Sequence, residues 1–453
     1  MAVWSVVKTS DLAPDMRLDA EHYRPEYLKQ EAAMTARRTT LLRDVATISD
    51  GNHLSIAEEF GDEGVRYLRG QDLGDFFISD ADPIYIPEKV YYTLGRSHMQ
   101  AGDVLVGVVG TIGSIGLVTE RHGKLTGNCK LAIVRAKKLP SEYIAAYLAS
   151  RLGQNEIQRR IRGAVQMGLI LPDLRDIPVV MPTDAQRNAV VKAVKGAQTE
   201  RKHAADALDA AETLLVSALG LDHIDLSPSR SYSRPFKDLI AGHRFGAEYY
   251  MPCKQRALDA LAAMPHSTLH DHAPNIRDLW EPESVGKGAM VRNFDLGDAL
   301  EPFLDDTKDP MPAAEVGSTK KKFKAGDVVV SRLRSYLREI AVARTGSGVP
   351  CVGSSEFIVL RPTGKGLSAE TILVYLRCPL VQTILKWSQD GSNHPPFNED
   401  DLMTLPVPDK LREVSPKIER HVQAAIASRQ EAVRLLDNAK TIVQKAILGE
   451  TGS

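Results

Sequence analysis

The chain contains itself twice. The segment 17-RLDAEHYRPEY-27 returns as 244-RFGAEYYMPCK-254, and 68-LRGQDLGD-75 returns as 291-VRNFDLGD-298. Further on, 101-AGDVLV-106 returns as 325-AGDVVV-330, and 177-IPVVMP-182 as 405-LPVPDK-410. The order is preserved, and each shift is about 223 to 228 residues. A single match of this length is noise, whereas four in order define a duplication. A repeat of roughly 225 residues is a whole domain and not a solenoid turn.

Each copy has the same two-part plan. In the first part, runs such as 104-VLVGVV-109, 131-LAIV-134, 328-VVVSRL-333 and 357-FIVL-360 read as strands. The stretches 141-SEYIAAYLAS-150 and 368-SAETILVYL-376 read as helices. The second part is one long helix, 184–220 in the first copy and 411–449 in the second, each closing on a glycine (Gly220, Gly449). The expected organisation is therefore α/β (α+β), with domains over 1–183 and 236–410 and long helices over 184–220 and 411–449. The linker 221–235 carries Pro and Ser.

Both long helices carry a heptad seam. In the first it runs Val190, Val194, Ala197, Arg201, Ala204, Leu208, Ala211, Leu215, Ala218. In the second it runs Ile418, Val422, Ala425, Arg429, Ala432, Leu436, Ala439, Val443, Ala446. One column is nearly all alanine, which lets two helices approach closely. An arginine in mid-seam costs stability but fixes register. Matched seams favour pairing of the two helices with each other, antiparallel about a pseudo-two-fold axis, over two unrelated amphipathic helices. The domains are then expected at opposite ends of the pair.

Composition narrows the function classes. Lys+Arg 57 against Asp+Glu 58 gives a formal charge of −1, so an anionic partner must be held by local patches. The four cysteines (Cys129, Cys253, Cys351, Cys378) lie too far apart for a zinc clamp or a disulfide scaffold, and a reducing cytoplasm is the expected setting. No run approaches the ~18–20 apolar residues of a membrane span, and the start, MAVWSVVKTSDLAPD, does not read as a secretory signal.

Two globular domains, each trailed by a long helix of a helix pair, resemble the DNA-specificity subunit of type I restriction–modification systems. The strings 102-GDVLVGVVGTIGSIGLV-118, 163-GAVQMGLILPDLRDIPVVMP-182 and 391-GSNHPPFNEDDLMTLPVP-408 are similar to that family's strand–glycine-loop–strand segment and domain endings. The resemblance covers nearly the whole chain. It implies that each domain reads half of a split duplex DNA site. It further implies that the helices set the gap and dock two DNA adenine methyltransferase subunits. Those partners would carry S-adenosylmethionine, this chain would bind no cofactor, and a motor–nuclease subunit would be a further partner. The second copy departs from the first at one loop, 334-RSYLREI-340 against 110-GTIGSIG-116, so base contacts do not transfer between copies.

The candidate DNA contacts follow. The stretch 320–344 holds eight Lys/Arg against two acids, with Arg332, Arg334 and Arg338 around Tyr336. Arginine suits guanine O6/N7, lysine neutralises phosphate, and tyrosine stacks or donates. In the first copy, Thr111 and Ser114 lie in the glycine loop, and Arg160, Arg162 and Gln166 lie around Gly163. Arg69 and Arg292 read as matched, either facing DNA or paired to the nearby Asp72 and Asp295. Gln71 and Asn293 are suited to adenine. Lys130 lies opposite Glu356, and Asn393 and His394 sit before the final strand. The bland reading of each charge cluster is a solvated face.

Catalytic patterns fail one by one. GVVGTIGSIG lacks the Gly-x-Gly-x-x-Gly spacing, and there is no Walker lysine. In 393-NHPPF-397 a histidine interrupts the Asn-Pro-Pro-aromatic order that adenine methyltransferases use, and no partner stands at ligand spacing to make His394 a metal ligand. The strings 172-PDLRD-176 and 408-PDK-410 lack the carboxylate–x–Lys of a nuclease. The expectation is a non-catalytic DNA-reading subunit. The alternatives are a specificity subunit of another defence or modification-only system, and a degenerate DNA methyltransferase.

Overall fold

The computed structural model describes residues 4–449 other than 13–16, 75, 81, 164, 166, 243, 287, 306, 345–347 and 392–394. Its contacts divide the chain into two units, residues 1–200 with 430–453, and residues 201–429. The division falls inside each long helix. Mixed helix and strand content is found in both units.

In the first unit the central strand Asp103–Gly107 lies between Leu131–Ala136 and Ile115–Leu117, with Ala46–Asp50 and Phe76–Phe77 at the edges. Asp103–Gly107 is buried along its whole length, which is why, after Asp103, it reads as an apolar run with no polar alternation. A second sheet pairs Val65–Leu68 parallel to Leu125–Gly127 and antiparallel to Ile84–Ile86. Thr39–Leu41 and Pro178–Val180 form a separate antiparallel pair. The helices Ser141–Ala149 and Arg151–Gln158 cover the first sheet. Tyr143 and Tyr147 are buried there, and their hydroxyls donate to the carbonyls of Val180 (3.0 Å) and Pro178 (2.5 Å). A buried phenol needs such an acceptor.

The second unit repeats this plan. Val328–Ser331 lies between Ile340–Val342 and Phe357–Leu360, and Met290–Phe294 runs parallel to Cys351–Gly353. His266–Thr268 pairs with Pro406–Pro408, and the Tyr375 hydroxyl donates to the Pro406 carbonyl. One ion pair recurs with the same geometry. The Arg135 guanidinium donates two 2.8 Å bonds to the buried Asp103, and Arg361 donates two 2.8 Å bonds to the buried Asp327.

The two long helices run Asp184–Leu219 and Leu411–Leu448. In the first unit Val190, Val194 and Ala197 share a core with Leu436, Ala439 and Val443. In the second, Ala211, Leu215 and Leu219 share a core with Ile418, Val422 and Ile426. Early residues of one helix meet late residues of the other in each case, so the pairing is antiparallel. The seam is not a free-standing zipper, however. Tyr143 and Tyr147 enter the first core, and Tyr375 and Leu376 the second, so each half-seam is packed against a domain as well as a helix. Leu208 and Arg201 are only half-buried. Arg429 reaches out of the seam to Glu301 at 3.1 Å.

Candidate nucleic-acid interface

In the first unit the hairpin of Asp103–Gly107 and Ile115–Leu117 closes over the tip 108–114. Gly107 N–H donates to the Ser114 carbonyl (2.9 Å) and Val108 N–H to that of Lys130 (2.8 Å). The Val108 carbonyl accepts from Leu169 N–H (2.9 Å), and Val109 bridges to Gly168. These bonds draw the 128–130 turn and the pair Gly168 and Leu169 beside the tip. The Thr111 hydroxyl donates to the Gly70 carbonyl at 2.9 Å and adds the turn Gly70–Asp72. A methyl group on Gly70 would stand 2.9 Å from Thr111 Oγ1, so a larger residue there would displace the Thr111 hydroxyl. Gln71, Thr111 and Lys130, all exposed, are thereby gathered from three segments. Ser114 is half-buried and works through its backbone.

Three residues that sequence reasoning missed lie beside this surface, the buried Asn52, the half-buried Asn128 and the exposed His53. Asn52 N–H donates to the Gly127 carbonyl (2.7 Å), and the Asn52 carbonyl accepts from Cys129 N–H (2.8 Å). This seats Asn52 and the exposed His53 beside Asn128, whose side chain accepts from Lys130 N–H at 3.2 Å. The Gly-Asn and Asn-Cys turns between apolar runs were the available signal.

The three candidate arginines of this unit, Arg69, Arg160 and Arg162, are paired with carboxylates. Arg69 pairs with Asp72 (2.9 Å) and Asp82 (3.2 Å), the scaffold alternative raised by the sequence. Arg160 pairs with the buried Glu156, and Arg162 donates to Asp173 at 2.8 Å. Gln166 lies outside the described residues, as do Asn393 and His394.

In the second unit the tip 332–338 carries the exposed Arg332 and Tyr336. Arg332 pairs with Glu356, Arg334 with Glu339 (3.4 Å) and Arg338 with Glu212 (3.6 Å). Burial holds the Glu339 and Glu212 carboxyls above the usual carboxylate range. The basic stretch is thus less basic than its sequence suggested, because Glu356 and Glu212 come to it from outside 320–344. Arg277, paired with Glu399 at 2.8 Å, lies just before the Leu279–Trp280 strand that pairs with Lys320–Lys322. Its place beside the basic stretch follows from strand pairing and was not legible in the sequence.

One expectation is corrected by strand register. Arg69 and Arg292 are not equivalent. Arg66 pairs with Leu125 and Arg292 with Cys351, and Leu125 and Cys351 stand five residues before Lys130 and Glu356. The true counterpart of Arg292 is Arg66, and both are buried. The next matched point agrees. Asp72 caps the Arg69 N–H at 2.6 Å, and Asp298 caps the Asp295 N–H at 2.7 Å. The repeated Asp-Leu-Gly-Asp string is offset by one turn from the structural match. Gln71 therefore sits on a turn, whereas Asn293 is half-buried within the strand Met290–Phe294.

With the register set, the two tips share one backbone frame. The Gly107–Ser114 bond has its counterpart in Ser331 N–H to Glu339 O (2.9 Å), and the Val108–Lys130 bond in Arg332 N–H to Glu356 O (3.2 Å). Phe397 N–H donates to Arg332 O (3.0 Å), as Leu169 does to Val108, and Leu333 bridges to Pro396 as Val109 does to Gly168. Even the left-handed positions persist. Gly110 has φ of 78° and Arg334, its counterpart, 47°. The side chains mounted on this frame are wholly different.

No family model matches the chain, and no curated protein sequence matches it significantly. Among solved structures it is similar to the S subunit of a type I restriction–modification system from M. genitalium, at 13% identity and TM-score 0.41 over 90% of this chain and 95% of that one. It is also similar to the HsdS subunit from Thermoanaerobacter tengcongensis, at 16% identity and TM-score 0.30 over 91% and 97%. A third similar chain comes from a study of type I R-M complex assembly, at 15% identity and TM-score 0.30 over 91% and 98%. Among the described residues no helix is long and apolar enough to cross a membrane.

Proposed function

We propose that the chain is the DNA-specificity subunit of a type I restriction–modification complex, with each unit reading one half of a bipartite, asymmetric duplex site. One observation carries this reading. A single main-chain frame occurs twice in the chain, bearing Thr111, Ser114 and Lys130 in one copy and Arg332, Tyr336, Arg338 and Glu356 in the other. Such a pair suits two related targets of different sequence, with the frame fixing position and the tips supplying discrimination.

In this reading lysine and arginine neutralise phosphates and make binding salt-dependent. Gln71, Thr111 and Lys130 meet base edges of the first half-site, and Arg332 and Tyr336 those of the second. The chain itself is non-catalytic and cytoplasmic. Two adenine methyltransferase subunits dock along the long helices, bring S-adenosylmethionine, and flip out and methylate one adenine per strand. A motor–nuclease subunit completes a cleaving complex.

Sequencing of methylated adenines in the native host, with and without this gene, tests the proposal. The expected result is one split motif, with unlike halves and a fixed gap, that disappears on deletion. Survival of every methylated motif after deletion would refute it.

A further inference from the structure

The two frames differ most in one pair of residues. Where the first unit has Val108, buried at 5% exposure, the second has the exposed Arg332. Where the first has the exposed Lys130, the second has Glu356, so the charge is reversed. The main-chain bond joining the two positions is kept in both units, at 2.8 and 3.2 Å. Arg332 Nε donates to Glu356 Oε2, and the two side chains remain 49% and 31% exposed.

Neither stability nor affinity accounts for Glu356. An ion pair this open to solvent contributes little to folding, and the frame closes without it through backbone groups. A carboxylate beside DNA phosphates weakens binding to every sequence. What a carboxylate does supply is discrimination, because it accepts hydrogen bonds and donates none. In the major groove a C·G pair presents the cytosine N4 amino donor beside the guanine O6 and N7 acceptors. An acceptor fixed next to a guanidinium is complementary to that pattern. An A·T pair has no base that offers two acceptors to the guanidinium.

We propose that Glu356 is a specificity-determining residue that, together with Arg332, reads a C·G pair in the half-site of the second unit. The inference rests on the DNA-reading function proposed above. Glu356 takes the cytosine amino group and Arg332 the guanine edge. At the corresponding place the first unit has the Lys130 ammonium, a donor and no acceptor, so the first half-site carries no such requirement for cytosine.

The test uses the full chain, purified as the complex it forms in its host, and a library of randomised DNA duplexes. Bound duplexes are sequenced for wild type, Glu356→Gln and Glu356→Ala. The expected result is a loss of roughly tenfold in the preference for C·G at one position of one half-site. Glu356→Gln should gain adenine there, since an amide both donates to N7 and accepts from N6. The other half-site should be unchanged, which also shows that the variants are folded. If both variants keep the wild-type motif in both half-sites and merely bind every duplex more tightly, Glu356 is only a counter-ion and the inference fails. If the wild type itself enriches no motif, the DNA-reading function fails and takes the inference with it.

Discussion

At the scale of single residues, two kinds of buried charge behave differently. Asp103 and Asp327 are each closed off by a bidentate arginine, and each also caps a backbone N–H, of Gln100 and Lys324 respectively. Removing either carboxylate strands those donors. Arg135 is 43% exposed and Arg361 31%, so water takes up part of the loss. Asp103→Ala and Asp327→Ala should each cost about 1–3 kcal/mol in urea unfolding. Lys254 is the opposite case. Its ammonium stands 3.3 Å from the Tyr249 ring centre, finds no hydrogen-bond partner among the described residues, and has its pKa pushed down to about 8 by burial. A depressed lysine contributes its full share to stability only above its unfolded value of about 10.4, and that share is lost as pH falls through about 8. Lys254→Met should therefore stabilise the fold by about 1–3 kcal/mol at pH 7 and flatten the rise in stability between pH 8 and 10. Thermal melts across that range would expose an error in sign. At the interface, Arg332→Ala should lose about 1–3 kcal/mol of discrimination at one position of the second half-site. Normal selection by that variant would leave Arg332 a solvated side chain. Single residues were also where the sequence misled. Asp-Leu-Gly-Asp recurs because capped turns favour those residues, and that local chemistry outweighed the pairing of Arg66 and Arg292 with their neighbouring strands.

At the scale of elements, the long helices were legible because heptad spacing survives in sequence whatever the helix packs against. Their second partner was not legible, because Tyr143, Tyr147, Tyr375 and Leu376 come from helices with no periodic relation to the seam. That second partner raises the cost of thinning the seam. Leu215 is fully buried against Ile418, Val422 and the domain. Leu215→Ala should cost about 2–5 kcal/mol, towards the upper end because neither side can collapse freely. A cost below 1 kcal/mol would mean that this half-seam is loosely packed. The tips were legible only as loops. Sequence shows where Gly110 is replaced by Arg334, but not that the chain holds the same left-handed backbone with an arginine.

At the scale of the whole molecule, duplication makes each half-seam a substitute for the other. A fragment of residues 1–226 lacks 430–448, which completes the core of the first unit. A second copy offers 202–220 with the same seam pattern in its place. Such a fragment should form a homodimer, detectable by sedimentation, and with methyltransferase partners should mark an inverted repeat. A folded monomer would sink the helix-exchange argument. The closing bonds of the frame run between main-chain groups, so they impose almost nothing on the side chains at the tips. Variation there is decoupled from the problem of folding. A lineage can drift through successive tip sequences, one half at a time, and acquire a new address on DNA while every intermediate still folds.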